Sequence, residues 1–206
     1  MKKLIAAALA FFMLLAAAGA CGEVTLEEAL GVTEGDEYRN EFLGFGFRCE
    51  GWQYTSREEL MSFQENAKSR LSQDAKKAIE EAGSVPLMMA FSPNGVDNVS
   101  MNMTFLGEEA AIYELLGMKT IYESQAEQIR DYIGSAGIAL TAIEISSVII
   151  DGREMVCYHA EYSLGGGSLY AVQTSFVKDQ YLVNFNATAL TLEAAEDAIR
   201  CVFWME

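Results

Sequence analysis

The stretch Leu43-Gly44-Phe45-Gly46-Phe47-Arg48-Cys49-Glu50 decides the fold class. Its large apolar side chains alternate with glycine or with charged residues. Because successive side chains of a strand point to opposite faces, this alternation predicts a strand with one buried face. Cys49 falls on the apolar side, which predicts a buried free thiol. Glu50-Gly51 then predicts a turn.

Strand patterns continue downstream of this stretch. Apolar alternation, with turn signals such as Asn94-Gly95 and Asp151-Gly152 between the runs, indicates antiparallel hairpins. Gly165-Gly166-Gly167 lacks the lysine of a phosphate-binding loop and predicts another hairpin turn. The predicted strands are 85–91, 99–105, 142–150, 153–163, 169–177 and 181–189.

Three segments have helical patterns. Ser56 and Glu59 match a capping box and predict a helix from Arg57 to about Leu71, with a continuation toward Ile79. A second helix is predicted from 108 to about 135, with a break near Gly117. Thr191 should cap a third, from 192 to about 202. We therefore predict an α+β domain in which two or three helices pack on an antiparallel sheet of six to eight strands.

The N-terminus has the layout of an export signal. Met1-Lys2-Lys3 is followed by residues 4–20, all of them apolar or glycine, and the run ends in small residues. A spanning helix needs roughly 20 apolar residues and a polar flank beyond them. Removal of residues 1–20 is therefore the favoured prediction, with cleavage between Ala20 and Cys21.

Cys21 indicates the fate of the new N-terminus after cleavage. Ala18-Gly19-Ala20-Cys21 resembles the bacterial lipobox, in which the cysteine is diacylated and becomes the mature N-terminus. The same residues also fit an ordinary A-x-A cleavage site, which would release a soluble secreted protein. We expect lipidation of Cys21, because a cysteine is unlikely to fall by chance directly after the small residues that end the signal. Two acyl chains would then anchor the protein stably to a membrane. The expected location is extracytoplasmic.

Charge narrows the range of partners. Loss of Lys2 and Lys3 with the signal would lower the formal net charge from −16 to −18. Such a surface repels phosphate backbones, so we expect no nucleic-acid partner. The acidic, turn-rich residues 21–37 are predicted to form a flexible tether, and 38–206 a single domain.

Few residues suggest catalysis. His159 is the only histidine, and it alternates with Cys157 and Glu161 along one predicted strand, which makes this trio a conceivable thiol or metal site. The simpler interpretation is a half-exposed sheet face. We therefore predict no catalytic, cofactor-binding or metal site. At most one disulfide can form among Cys49, Cys157 and Cys201, and the sequence leaves the pairing open.

The pattern Tyr38-x-Asn40-x-Phe42-x-Gly44-Phe45-x-Phe47, followed by Gly51-Trp52-x-Tyr54, resembles the opening of PsbP-like domains. It is most similar to uncharacterised lipoproteins of Gram-positive bacteria that carry this fold. Cys49 stands where that family usually has proline. The resemblance covers about residues 38–206. It implies an accessory role, because proteins of this fold act mostly by docking onto larger assemblies.

Three functions remain open from the sequence. The first is a non-catalytic surface lipoprotein that binds an envelope protein or another envelope component. The second is a carrier of a small ligand, held in an apolar groove that Met88, Met89, Met101 and Met103 could line. The third is a thiol-dependent enzyme that uses Cys157 and His159, which requires an accessible thiol of low pKa.

Overall fold

The computed structural model describes residues 29–62, 84–135, 139–164 and 167–205. The predicted signal, Ala20 and Cys21 lie outside the described residues. So does the predicted helix beyond residue 62.

The larger of two sheets contains seven strands. Their order is β4-β5-β6-β10-β9-β8-β7, and every neighbouring pair is antiparallel. The six predicted strands are confirmed as β5 to β10, with ends shifted by up to three residues. Asp151 and Gly152 adopt φ angles of 45° and 78° in the predicted hairpin turn. The strands are β4 Gln53–Tyr54, β5 Val85–Phe91, β6 Asn98–Phe105, β7 Ala139–Ile150, β8 Arg153–Leu164, β9 Gly167–Lys178 and β10 Tyr181–Ala189.

The smaller sheet has four short strands in the order β1-β2-β3-β11. They are β1 Val32–Glu34, β2 Glu37–Asn40, β3 Phe45–Arg48 and β11 Val202–Trp204. Only β3 was predicted. The prediction of a flexible tether up to residue 37 is wrong for residues 29–37, because Ala29 is buried and β1 pairs with β2.

The first two helices lie close to their predicted positions. Helix α1 begins at Arg57 and is described through residue 62. Its capping box is confirmed, since the Glu59 carboxylate accepts from the Ser56 amide at 3.2 Å and the Ser56 hydroxyl accepts from the Glu59 amide at 3.3 Å. The predicted break in α2 (Ala110–Ser135) is confirmed at Gly117, where φ is 75° and ψ is 151°.

Helix α3 (Leu192–Ile199) begins at its predicted cap. The Thr191 hydroxyl accepts from the Ala194 amide at 3.1 Å. The predicted end near residue 202 is wrong, because Val202–Trp204 forms β11 beside β3.

The main core lies between the two sheets. Phe45 and Phe47 of β3 are fully buried against large-sheet residues such as Phe185, and α3 covers part of the same core. Cys49 is half-buried at its margin, not fully buried as predicted. Two antiparallel sheets with helices packed on them confirm the α+β class.

The opposite face of the large sheet combines an aromatic contact with a row of polar side chains. Tyr122 of α2 stacks on Tyr158 of β8, with ring centroids 4.2 Å apart. Beside them, the Asn184 amide donates to Asn102 Oδ1 at 2.9 Å, and Ser175 donates to Asn184 Oδ1 at 2.6 Å. The Tyr122 hydroxyl donates to Ser175 at 2.7 Å. This hydrogen-bonded row is fully buried.

Candidate functional site

The predicted trio on β8 does not form a reactive thiol site. Cys157 is fully buried, and burial raises its pKa to about 12. His159 Nε2 contacts Glu196 Oε1 of α3 at 3.4 Å, while Glu161 accepts from the Ser168 hydroxyl at 2.8 Å. The Glu161 carboxylate therefore has a structural partner, the buried His159 Nε2 contacts Glu196 without a hydrogen bond, and the Cys157 thiol is neutral at physiological pH. The requirement for an accessible thiol of low pKa is not met.

Two further sequence expectations concern ligands. No group of three or more histidine, cysteine or acidic side chains is placed to hold a metal ion within the described ranges. The predicted groove lined by four methionines is wrong, because Met101 and Met103 are buried in the core between the sheets, although Met88, which is also buried, borders an open cleft near the start of α1. Met89 is also fully buried. These methionines pack against other core residues.

An open cleft of about 600 Å³ lies between the smaller sheet and the start of α1. Its volume falls in the range of about 300 to 1,000 Å³ that is typical of small-ligand sites. Its wall is mixed, with leucine and methionine side chains beside hydroxyl groups. Its lining residues are Leu30, Gly31, Thr33, Tyr38, Tyr54, Thr55, Ser56, Arg57, Glu59, Leu60, Leu87 and Met88.

Arg57 supplies the positive charge of this cleft. It lies at the first position of α1 and is half-buried, and its guanidinium donates to the Pro86 carbonyl. Partial burial lowers the pKa of Arg57, but an arginine still remains charged. A guanidinium has five N–H donors, so donors beyond the Pro86 bond can face a ligand. Glu59, the other charged residue of the lining, is engaged in the capping box.

Hydrogen bonds from Tyr38 and Asn40 fix one wall of the cleft. The Tyr38 hydroxyl donates to the Leu30 carbonyl at 2.8 Å, and the Asn40 amide donates to the Ala29 carbonyl at 2.9 Å. The Leu43 amide donates to Asn40 Oδ1 at 2.9 Å. Burial raises the pKa of Tyr38 above its ordinary value, so the hydroxyl stays a donor. These bonds hold residues 29–31 against β2 and give the cleft a fixed wall.

Helix α2 presents a separate apolar surface before its break. Ile112, Leu115 and Leu116 lie three and four residues apart, which places them on one side of the helix. Leu115 is 85% exposed, and the other two are about half exposed. Exposed apolar side chains that share one helical face are typical of an interaction surface.

Sequence reasoning missed Arg57. One signal was present, because a basic residue at the first position of a helix opposes the helix dipole, which favours acidic residues there. A basic residue at this unfavourable position indicates that the Arg57 charge interacts with a group other than the helix end. The lining residues come from three stretches, 30–38, 54–60 and 87–88, and no signal in the sequence indicates that these stretches meet.

In the part of the chain that the structure describes, every helix is too short or too polar to cross a membrane. Comparison of the chain with protein-family models and with curated proteins gave no match.

Proposed function

We propose that this protein is a non-catalytic binding domain, attached by a lipid on Cys21 to the outer face of a membrane, and that it binds a small amphipathic anion in the cleft beside Arg57. The observation that carries the proposal is the cleft itself, in which the Arg57 cation lies near leucine side chains while the Glu59 carboxylate is held in the capping box. The PsbP-like resemblance and the export signal support the location and the accessory role.

The ligand class follows from the lining. Leu30, Leu60 and Leu87 favour an apolar body, because burial of apolar surface is worth about 25 cal/mol per Å². The guanidinium of Arg57 favours a carboxylate, sulfonate or phosphate group at one end. The protein is strongly acidic as a whole, so a local cation is needed to retain an anion.

Replacing Arg57 with glutamine should weaken binding of anilinonaphthalene sulfonate, a fluorescent amphipathic anion, by about tenfold or more. The reason is that a charged hydrogen bond contributes about 1.5 to 3 kcal/mol, and 1.4 kcal/mol is a factor of ten. The measurement is a fluorescence titration of the folded protein. Arg57→Lys, which keeps the charge, should retain part of the affinity.

Arg48→Gln is the matched control. The Arg48 side chain is 64% exposed, pairs with Glu37 at 3.2 Å and lies outside the cleft, so its variant should titrate like the wild type. Near-ultraviolet circular dichroism of each variant separates loss of the site from loss of folding. Equal affinity in the Arg57→Gln and Arg48→Gln proteins would rule out the cleft as the binding site.

Intact mass of the membrane-extracted protein should equal residues 21–206 plus a diacylglyceryl group. Replacement of Cys21 with alanine removes the acceptor thiol, so membrane attachment should be lost. Cell fractionation and mass spectrometry measure both effects. An unmodified wild-type protein recovered from the medium would instead identify a soluble secreted carrier.

A protein of the envelope is the second candidate partner. The exposed Ile112, Leu115 and Leu116 of α2 favour it, since lipid anchoring would hold this surface near other envelope proteins. A pull-down from native membranes tests it, with Leu115→Asp as the negative control. Recovery of no stoichiometric partner would exclude this surface as a binding site. Equal recovery with the wild-type protein and with the Leu115→Asp variant would exclude it as well.

A further inference from the structure

Cys49 and Cys201 meet although 152 positions separate them in the sequence. Cys49 follows β3 and Cys201 precedes β11, and these two strands pair in antiparallel fashion. The Arg48 amide donates to the Cys201 carbonyl at 3.1 Å. The two Sγ atoms lie 2.6 Å apart as free thiols. A disulfide bond is about 2.0 Å long, so only a small approach separates the pair from covalent bonding.

Reactivity also favours these two cysteines over the third. Both are half-buried and can be reached from solvent, whereas Cys157 is fully buried with a raised pKa. The Cys201 thiol donates a hydrogen bond to the Cys49 sulfur, which lowers the pKa of Cys49. A thiolate is the attacking species in disulfide exchange, so Cys49 is the nucleophile of the pair.

We propose that Cys49 and Cys201 form a disulfide bond in the mature protein and that this bond fastens the C-terminal strand β11 to β3. The proposal rests on the export inferred above, because disulfides persist in oxidising compartments outside the cytoplasm. It answers the pairing question that the sequence leaves open. Cys157 stays a free thiol in the core.

The bond forms by thiol–disulfide exchange with a disulfide oxidant, such as an oxidised thiol oxidoreductase or oxidised glutathione. The Cys49 thiolate attacks one sulfur of the oxidant and releases the other as a thiol. Cys201 then loses its proton and attacks the Cys49 sulfur, which releases the second thiol of the oxidant. Two protein thiols are thereby oxidised, and one oxidant disulfide is reduced to two thiols.

Tryptic mapping of the exported full chain tests the bond directly. Cleavage after Arg48, Arg57 and Arg200 yields peptides 49–57 and 201–206, each with a single cysteine. After free thiols are blocked, the expected result is one linked species, lighter by two hydrogens than the two peptides together. It should separate into both peptides on reduction. Cys157 should be blocked only after denaturation.

Thermal unfolding of the wild-type protein with and without reductant provides a second readout. Reduction of the wild-type protein should lower its Tm by about 5 to 15 °C, because the bond closes a loop of about 150 residues. The Cys49→Ser protein should unfold at the same temperature with and without reductant. If the two side chains only packed against each other without a covalent bond, reductant would leave the Tm unchanged.

Two results would overturn the proposal. One is recovery of both peptides singly and blocked from the exported protein. The other is a wild-type Tm that reductant leaves unchanged. The bond is measured by peptide mass and the cleft by titration of the Arg57→Gln variant, so failure of this inference is distinguishable from failure of the proposed function.

Discussion

Replacing Phe45 with alanine is expected to lower the free energy of unfolding by about 3 to 5 kcal/mol. Phe45 is fully buried, and its ring lies 4.8 Å from the ring of Phe185 in an edge-to-face contact. It also contacts Tyr38 and Phe176 at centroid distances of 6.1 and 6.2 Å. Phe45 therefore joins the two sheets at their centre, and its loss leaves a cavity that rigid strands cannot close.

Urea unfolding of purified protein measures this effect, with Leu115→Ala as the control. Leu115 is 85% exposed, so its variant should change the free energy of unfolding by about 0.5 kcal/mol or less. A similar small change in the Phe45→Ala protein would show that the sheets are not packed through this residue.

Replacing Asn40 with alanine is expected to cost about 3 kcal/mol. Asn40 is fully buried, donates to the Ala29 carbonyl and to the Tyr38 hydroxyl, and accepts from the Leu43 amide. The variant leaves the carbonyl and the amide without this partner, and each unsatisfied buried group costs about 1 to 3 kcal/mol. Urea unfolding gives the global cost, and hydrogen exchange should show faster opening of residues 29–34.

Asn94→Ala is the matched control for this prediction. The Asn94 oxygen accepts from the amides of Val96 and Asp97 at 2.7 and 2.9 Å, but the residue is exposed in a turn. Water can replace its bonds, so we expect a cost of about 1 kcal/mol or less. Equal costs at the two positions would contradict the role given to Asn40.

The sequence predicted the long strands because alternation of apolar and polar residues over seven or more positions is compatible with few structures other than a strand. It missed β1, β2 and β11, each of which has only three or four residues. Glu37-Tyr38-Arg39-Asn40 shows why, since its alternate side chains include a buried amide where an apolar residue is expected. For β11, the apolar pattern of α3 continues across the helix end, and only the position of β3 decides where the strand starts.

The candidate site was less predictable than the fold. The cleft joins Leu30, Arg57 and Leu87, which become neighbours only when β1, α1 and β5 are assembled. The Cys49 and Cys201 pair likewise depends on the pairing of β3 with β11. Full burial of Cys157 was not predicted either, because Cys157, His159 and Glu161 were expected to lie on a half-exposed sheet face.

The buried row of Asn102, Asn184, Ser175 and Tyr122 determines how β6, β10 and β9 align along their length. A slip of two residues would keep each apolar side chain on its original face, so hydrophobic burial alone distinguishes such an error poorly from the native pairing. The slip would, however, break the bond between Asn184 and Asn102 and place Asn184 opposite Ser100 or Thr104, whose single hydroxyl groups cannot reproduce the amide pair. Hydrogen bonds between matched polar side chains thus help to select a single strand register, and they exclude registers that a purely apolar face would permit.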